Sequence, residues 1–172
     1  MSNRAFTVLA ISITSFILAV FACVYWNYSF DKNCGDYLKL AGDAPNIERA
    51  DNFLDKAIRY IERENLTSGN SAIIFSKPSN DVGVWYEQIK GAKETTENLL
   101  AKEKVDPASV SQLDKDNALM KIREVLLDDS SSGTKVTAPD WISWYPHQHA
   151  IAGWWIMAGI VFCIGLYFKT ND

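Results

Sequence analysis

Apolar positions fall along this chain in two different patterns. At the ends they run together: Ala5–Phe30 and Trp141–Phe168 contain no Asp, Glu, Lys or Arg. Between the ends they recur every three or four residues among charged positions. A helix needs roughly 20 consecutive apolar residues to cross about 30 Å of hydrocarbon, and Ala5–Trp26 and Ala150–Phe168 each supply that length. The pattern predicts transmembrane helices over 5–28 and 146–168, with short tails at 1–4 and 169–172. Aromatic residues gather at the inner edges of both runs, Tyr25, Trp26 and Tyr28 in the first and Trp141, Trp144 and Tyr145 in the second. Such belts mark the boundary between water and lipid, and a hairpin of two spans puts both belts on one side. Val20-Phe21-Ala22-Cys23 is a poor match to a lipoprotein cleavage box because Phe21 is bulky, and the apolar core is longer than a signal peptide requires.

The periodic middle, 31–129, predicts a small water-soluble bundle of about four helices, and the chain as a whole reads as all-α. The period is clearest over 46–66. Asn46 can cap the start, Ile47, Ala50, Phe53, Leu54, Ala57, Ile58 and Ile61 make one face, and Glu48, Arg49, Asp55, Lys56, Arg59 and Glu62 make the other. A shorter helix over Gly35–Ala44 stops near Pro45, because the residue before proline disfavours the α region. The pattern returns from Val82 to about Glu103. After Pro107 it returns once more, through Leu127, with Val110, Leu113, Leu119, Ile122, Val125 and Leu126 as the apolar positions. Residues 67–81 interrupt the helical theme with turn formers around Ile73, Ile74 and Phe75. The simpler reading makes these three residues a plug for one end of the bundle; the sharper one makes them a partner-binding or membrane-touching loop. Residues 130–145, opening on Ser130-Ser131-Ser132-Gly133-Thr134, read as a flexible linker and interfacial segment.

Charge sharpens this division. Of 17 Lys and Arg and 21 Asp and Glu, only Arg4, Lys169 and Asp172 lie outside 31–140. The acidic, mixed surface of the middle segment argues against nucleic acid, which wants a basic face. Near the spans, Arg4 and Lys169 on the terminal side face Lys32, Lys39 and Lys135 on the loop side. Long loops weigh little in that comparison and Arg4 abuts the first span, which favours cytoplasmic termini and an extracytoplasmic domain, periplasmic or lumenal.

Candidate chemistry is sparse. The middle segment has no histidine, no glycine elbow beside a serine and no phosphate-cradling glycine loop, so no enzyme is expected. Cys23 and Cys163 lie in the spans as small packing residues, and Cys34 is alone in the middle segment, where it has only another chain to pair with. His147 and His149 are the weak metal candidates. At i and i+2 they point to opposite sides of a helix and to one side of a strand, so they converge only if that segment is not helical. Asp140 is the nearest acid and a third ligand is wanted. No cofactor is expected. Axial ligation of a tetrapyrrole and hydrogen bonding to lipid head groups are the alternatives for these histidines.

Both spans carry small residues at helical spacing, Ser15, Ala19 and Cys23 with Ser12 and Ala22 in the first, and Gly159 and Cys163 with Ala152 in the second. Such faces let helices approach closely, whether against each other, a neighbouring subunit or a second copy. Trp154 and Trp155 are expected to face lipid or a large partner. With tails too short for an output domain and no intramembrane charge to mark a transport path, the expected role is that of a non-enzymatic accessory, scaffold or assembly subunit. Its partners would be the lipid bilayer and other membrane-protein subunits. The alternative is a ligand-sensing extracytoplasmic bundle that signals through a partner's transmembrane helices.

Overall fold

The helix formed by the first apolar run does not end where its aromatic residues cluster. In the computed structural model, which describes residues 3–130 and 133–171, helix α1 (Asn3–Phe30) passes through one π-helical turn, Asp31–Gly35, directly into α2 (Asp36–Gly42). No proline interrupts residues 3–42, and Gly35 keeps right-handed helical angles, so nothing breaks the backbone ladder. The π turn widens the helix locally at the point where it leaves its apolar stretch. Here Cys34 and Gly35 turn inward and Asn33 Nδ2 donates to the Ser29 carbonyl at 2.8 Å.

The remaining domain helices follow local stop and start signals. Asn46 accepts from the Arg49 amide at 2.9 Å and opens α3 (Ile47–Arg63). The buried face is Ile47, Ala50, Leu54, Ala57, Tyr60 and Ile61, the spacing of one helical stripe. Asp81 caps α4 (Val82–Val105), which stops ahead of Pro107. Ser111 and Asp114 cap each other's turn at the start of α5 (Gln112–Leu126), the reciprocal arrangement of a capping box. The inward stripe of α5 is Ala118, Ile122 and Leu126, whereas Leu113 is 67% exposed and Val125 also faces outward. Of the expected face, Ile122 and Leu126 are inward and Leu113 and Val125 are not. Val110 precedes the cap and lies outside the helix, so a period counted from it does not carry into α5.

A strand pair replaces what reads as all-α and as a loose linker. Residues Leu127–Ser130 (β1) and Gly133–Val136 (β2) form an antiparallel hairpin, with Leu127 opposite Val136 and Ser130 opposite Gly133. Asp129 accepts from the Thr134 hydroxyl at 2.6 Å across it. Beyond the hairpin the chain stays packed, with Pro139 and Ile142 buried, until α6 (Gln148–Asn171) begins. The protein is thus mostly helical, with two long apolar helices near its termini. Only 17% of the most apolar stretch of each is buried, so neither is the core helix of a soluble domain.

Two ends of the domain can be told apart. Phe30, one turn past Trp26, packs against Tyr60 of α3 and Trp85 of α4, each with ring centroids 6.3 Å away. At the far end Ile47, Leu100 and Lys104 line one cleft, and Lys115 binds Glu103 at 2.6 Å. α3 therefore runs back toward α1's apolar stretch, α4 away from it, and α5 back again. The core between them is continuous, from Phe30, Cys34 and Leu38 through Leu54, Ile61 and Ile89 to Ile122 and Leu126.

Candidate functional site

Three surfaces carry the residues that the sequence singles out. The first is the seam between α1 and α6, which run antiparallel. Ser12, Ala19 and Cys23 are buried in it, and Ser15 is half-buried. Ser12 Oγ donates to the Ala158 carbonyl at 2.9 Å, and Trp154 Nε1 donates to Ser15 Oγ at 2.8 Å. In an apolar surrounding such interhelical bonds contribute about 1 kcal/mol each. Phe16 meets the edge of Trp155 at 5.1 Å. Both tryptophans expected to face lipid or a partner therefore turn toward α1.

On α6 the seam uses a different stripe from the one the small residues suggest. Ile151, Ala158 and Gly165 are the buried positions, seven residues apart. A Cβ added at Gly165 would lie 2.8 Å from Leu9 Cδ2 and 3.2 Å from Val8 Cγ1, so the close approach there depends on glycine. Gly159 and Cys163 lie on the outward side instead. Together with Ile156, Ile160, Ile164 and Tyr167 they line a shallow apolar groove of about 560 Å³. The structure thus brings Ser15, Ala19 and Cys23 into the helix pair and leaves Gly159 and Cys163 out of it.

The second surface is the junction of domain and α6. Ser71, which is fully buried, donates to the Asp140 carbonyl at 2.6 Å. Tyr145 donates to the Ser68 carbonyl at 2.6 Å, Gln148 Nε2 to the Asn70 carbonyl at 3.1 Å, and Trp85 Nε1 to the Thr137 carbonyl at 2.8 Å. Ser143 also donates to Asn27, and Trp26 stacks on His147 at 6.1 Å. The base of the loop 67–81 is therefore stapled to the start of α6, and Gly69, at φ +96°, sits against the Tyr145 hydroxyl. Ile73 is half-buried, but Ile74 and Phe75 are 79% and 80% exposed. They do not plug the helices. Ser71, Gln148 and Trp85 escape sequence reasoning because each acts on a backbone carbonyl distant in the chain, and no local period announces that.

The third set is the histidines and Cys34. His147 precedes α6 and stacks on Trp26, while His149 lies in the first turn of α6; both are exposed. Among the described residues no three His, Cys, Asp or Glu side chains gather into a group able to hold a metal ion. Cys34 is closed to solvent inside the core, which removes it as a site for pairing with another chain.

Polar groups elsewhere tie helix to helix. Asp51 on α3 accepts from Lys93 at 2.7 Å and from the buried Thr96 hydroxyl at 2.6 Å, and Lys93 also reaches Glu97 at 3.3 Å. Burial works to lower the Lys93 pKa, but the hydrogen bonds and charges of Asp51 and Glu97 outweigh it and hold the ammonium above its usual range. Tyr86 is pushed up to about 12, chiefly by burial and then by its hydrogen bond to Glu62. These groups sit in pairs along packed helices, the arrangement of a register lock between α3 and α4. A groove of about 570 Å³ between α4 and α5 is open and lined by Asn98, Lys102, Asp114, Asn117 and Lys121 among others.

No family model matches the chain, and neither any curated protein nor any solved structure matches it.

Proposed function

We propose that this chain is a two-pass integral membrane protein whose helical domain and spans serve as a non-enzymatic accessory, scaffold or assembly subunit of a larger membrane complex. In this reading α2 to α5 act as one bundle, the termini lie in the cytoplasm and the domain lies on the extracytoplasmic side. The observation that carries it is the way α1 and α6 spend their surface. They cover one narrow face of each other and leave the rest, the Gly159–Cys163 groove included, apolar and exposed, a surface that only lipid or another membrane protein can cover.

The sensing alternative calls for an apolar pocket between the domain helices. The domain offers a packed aromatic and aliphatic core, and its α4–α5 groove is open and polar, which favours the scaffold. Affinity purification in mild detergent tests the reading: stoichiometric co-purification of other membrane proteins is expected, and recovery of the chain alone would count against it. Oxidative cross-linking through Cys163, exposed on the outward face, separates self-association from contact with a different subunit. For sidedness, Lys104→Cys in a Cys163→Ala background supplies an exposed thiol on the domain, which the buried Cys34 does not; labelling by an impermeant maleimide only after permeabilisation overturns the orientation.

A further inference from the structure

We infer that the Ile74–Phe75 tip of the loop 67–81 dips into the lipid head-group layer of the same bilayer that α1 and α6 cross, so that the domain rests on the membrane at a third point. The inference rests on the two-pass reading above.

The boundary of the bilayer is set first. At 1.5 Å per residue, Phe6 to Trp26 measures about 30 Å, the thickness of the hydrocarbon core. Trp26 stacks on His147, so the same level falls at the start of α6. Exposed Tyr25, Tyr28 and Trp141 surround it, as residues that partition to the interface do.

The loop is placed at that level by independent contacts. It joins the last turn of α3 to the first turn of α4, and both turns pack on Phe30. Its base is closed on itself, with Val82 donating to Gly69 at 2.9 Å and Ser71 to Asn80 at 3.0 Å. Gln148, the residue next to His147, holds the Asn70 carbonyl, and Asp140 holds Ser71. From Ser71 the chain has four residues to reach Phe75, a span of at most about 14 Å, which exceeds the roughly 6 Å depth of one interfacial layer.

Charge supplies the choice of occupant. The domain is acidic overall, yet residues 65–80 hold no Asp or Glu, and their one charge is Lys77, two positions beyond Phe75. Two adjacent large apolar side chains near 80% exposure, followed by a single cation, suit a lipid head-group layer in which the apolar side chains enter and the ammonium pairs with phosphate.

The test uses the full chain, with Cys163→Ala and the buried Cys23 and Cys34 left in place, in vesicles of phosphatidylcholine doped with phosphatidylglycerol. A nitrobenzoxadiazole dye is attached at Phe75→Cys, at Ile160→Cys or at Lys104→Cys. Expected at Phe75→Cys are a blue-shifted emission and a loss of fluorescence that is larger with lipids brominated near the head group than near the chain ends. Ile160→Cys gives the opposite order, and Lys104→Cys shows no loss. Adding Ile74→Asp removes the blue shift at Phe75→Cys and leaves the melting curve in place. The proposal is overturned if the Phe75→Cys dye matches that at Lys104→Cys while the dye at Ile160→Cys is quenched. It is also overturned if the Phe75→Cys dye is shielded from aqueous iodide with no quenching by lipid, the mark of a covering protein. Loss of quenching at Ile160→Cys as well would instead defeat the two-pass reading itself.

Discussion

The two junctions between apolar helix and domain are built on opposite principles. On the first side α1 enters the domain as one unbroken helix through the Asp31–Gly35 turn, so a continuous backbone carries any tilt or rotation of α1 into α2. On the second side Thr137–His147 is not continuous helix, and α6 is coupled through side chains: Ser71 to Asp140, Gln148 to Asn70, Tyr145 to Ser68, Trp85 to Thr137. The first junction is a rod and the second is a clamp. Two apolar runs of similar length and composition thus have different mechanical roles, and the loop 67–81 belongs to the clamp rather than to the core.

The largest expected effect comes from Trp85, which serves both junctions, packing on Phe30 and bonding to Thr137. Trp85→Ala should cost about 3–5 kcal/mol of domain stability, read as a lowered denaturation midpoint in detergent; a shift no larger than that of an exposed-site control would break the idea that both junctions meet there. Next is Asn33→Pro in the rod, where removing one backbone donor inside a continuous helix costs about 3 kcal/mol. Spin-label distances between α1 and α2 should broaden in that variant while those between α6 and the loop base stay sharp. If both sets broaden together, the junctions are not separable.

Gly69→Ala addresses the clamp alone. A side chain at φ +96° beside the Tyr145 hydroxyl should cost roughly 1–3 kcal/mol, with faster hydrogen exchange confined to the loop base and the start of α6. The smallest effect belongs to the far end, away from both junctions. Hydrogen bonds from the Ser111 side chain and then its backbone hold the Asp114 carboxyl below its ordinary 3.8. A lowered folded pKa means that the stabilisation is present above the unfolded value and is lost as pH falls through the folded one. Backbone chemical shifts of Gln112–Asp114 should therefore report fraying below about pH 4, with neither junction disturbed and with no such step in Ser111→Ala.

Much of this was legible along the chain. Asn46 announces α3 and the Ile47–Ile61 stripe names its buried face, because one side of that helix meets water and the other does not. The same reasoning placed Ile122 and Leu126 of α5 inside but also Leu113 and Val125, which turn outward. It also missed the hairpin, whose strands, Leu-Asp-Asp-Ser and Gly-Thr-Lys-Val, are too polar and too short to show a period of two. On α6 the small residues Gly159 and Cys163 misled for a related reason. A helix that is apolar all round carries no polar face to point away from its partner, so Ile151, Ala158 and Gly165 look no different from their neighbours.

By itself the sequence determined the two long apolar helices, the acidic helical segment between them and the Asn46 cap of α3, since burial of apolar surface and local hydrogen bonding act on neighbours along the chain. Only the tertiary structure decided that α1 continues into the domain as a rod while α6 is held by a clamp, that Cys34 is sealed inside, and that Ile74 and Phe75 stand outside. Those outcomes depend on carbonyls and ring faces brought together across long stretches of chain, 116 positions between Asn27 and Ser143, and no local pattern encodes a contact whose partner is chosen by the packing of everything between.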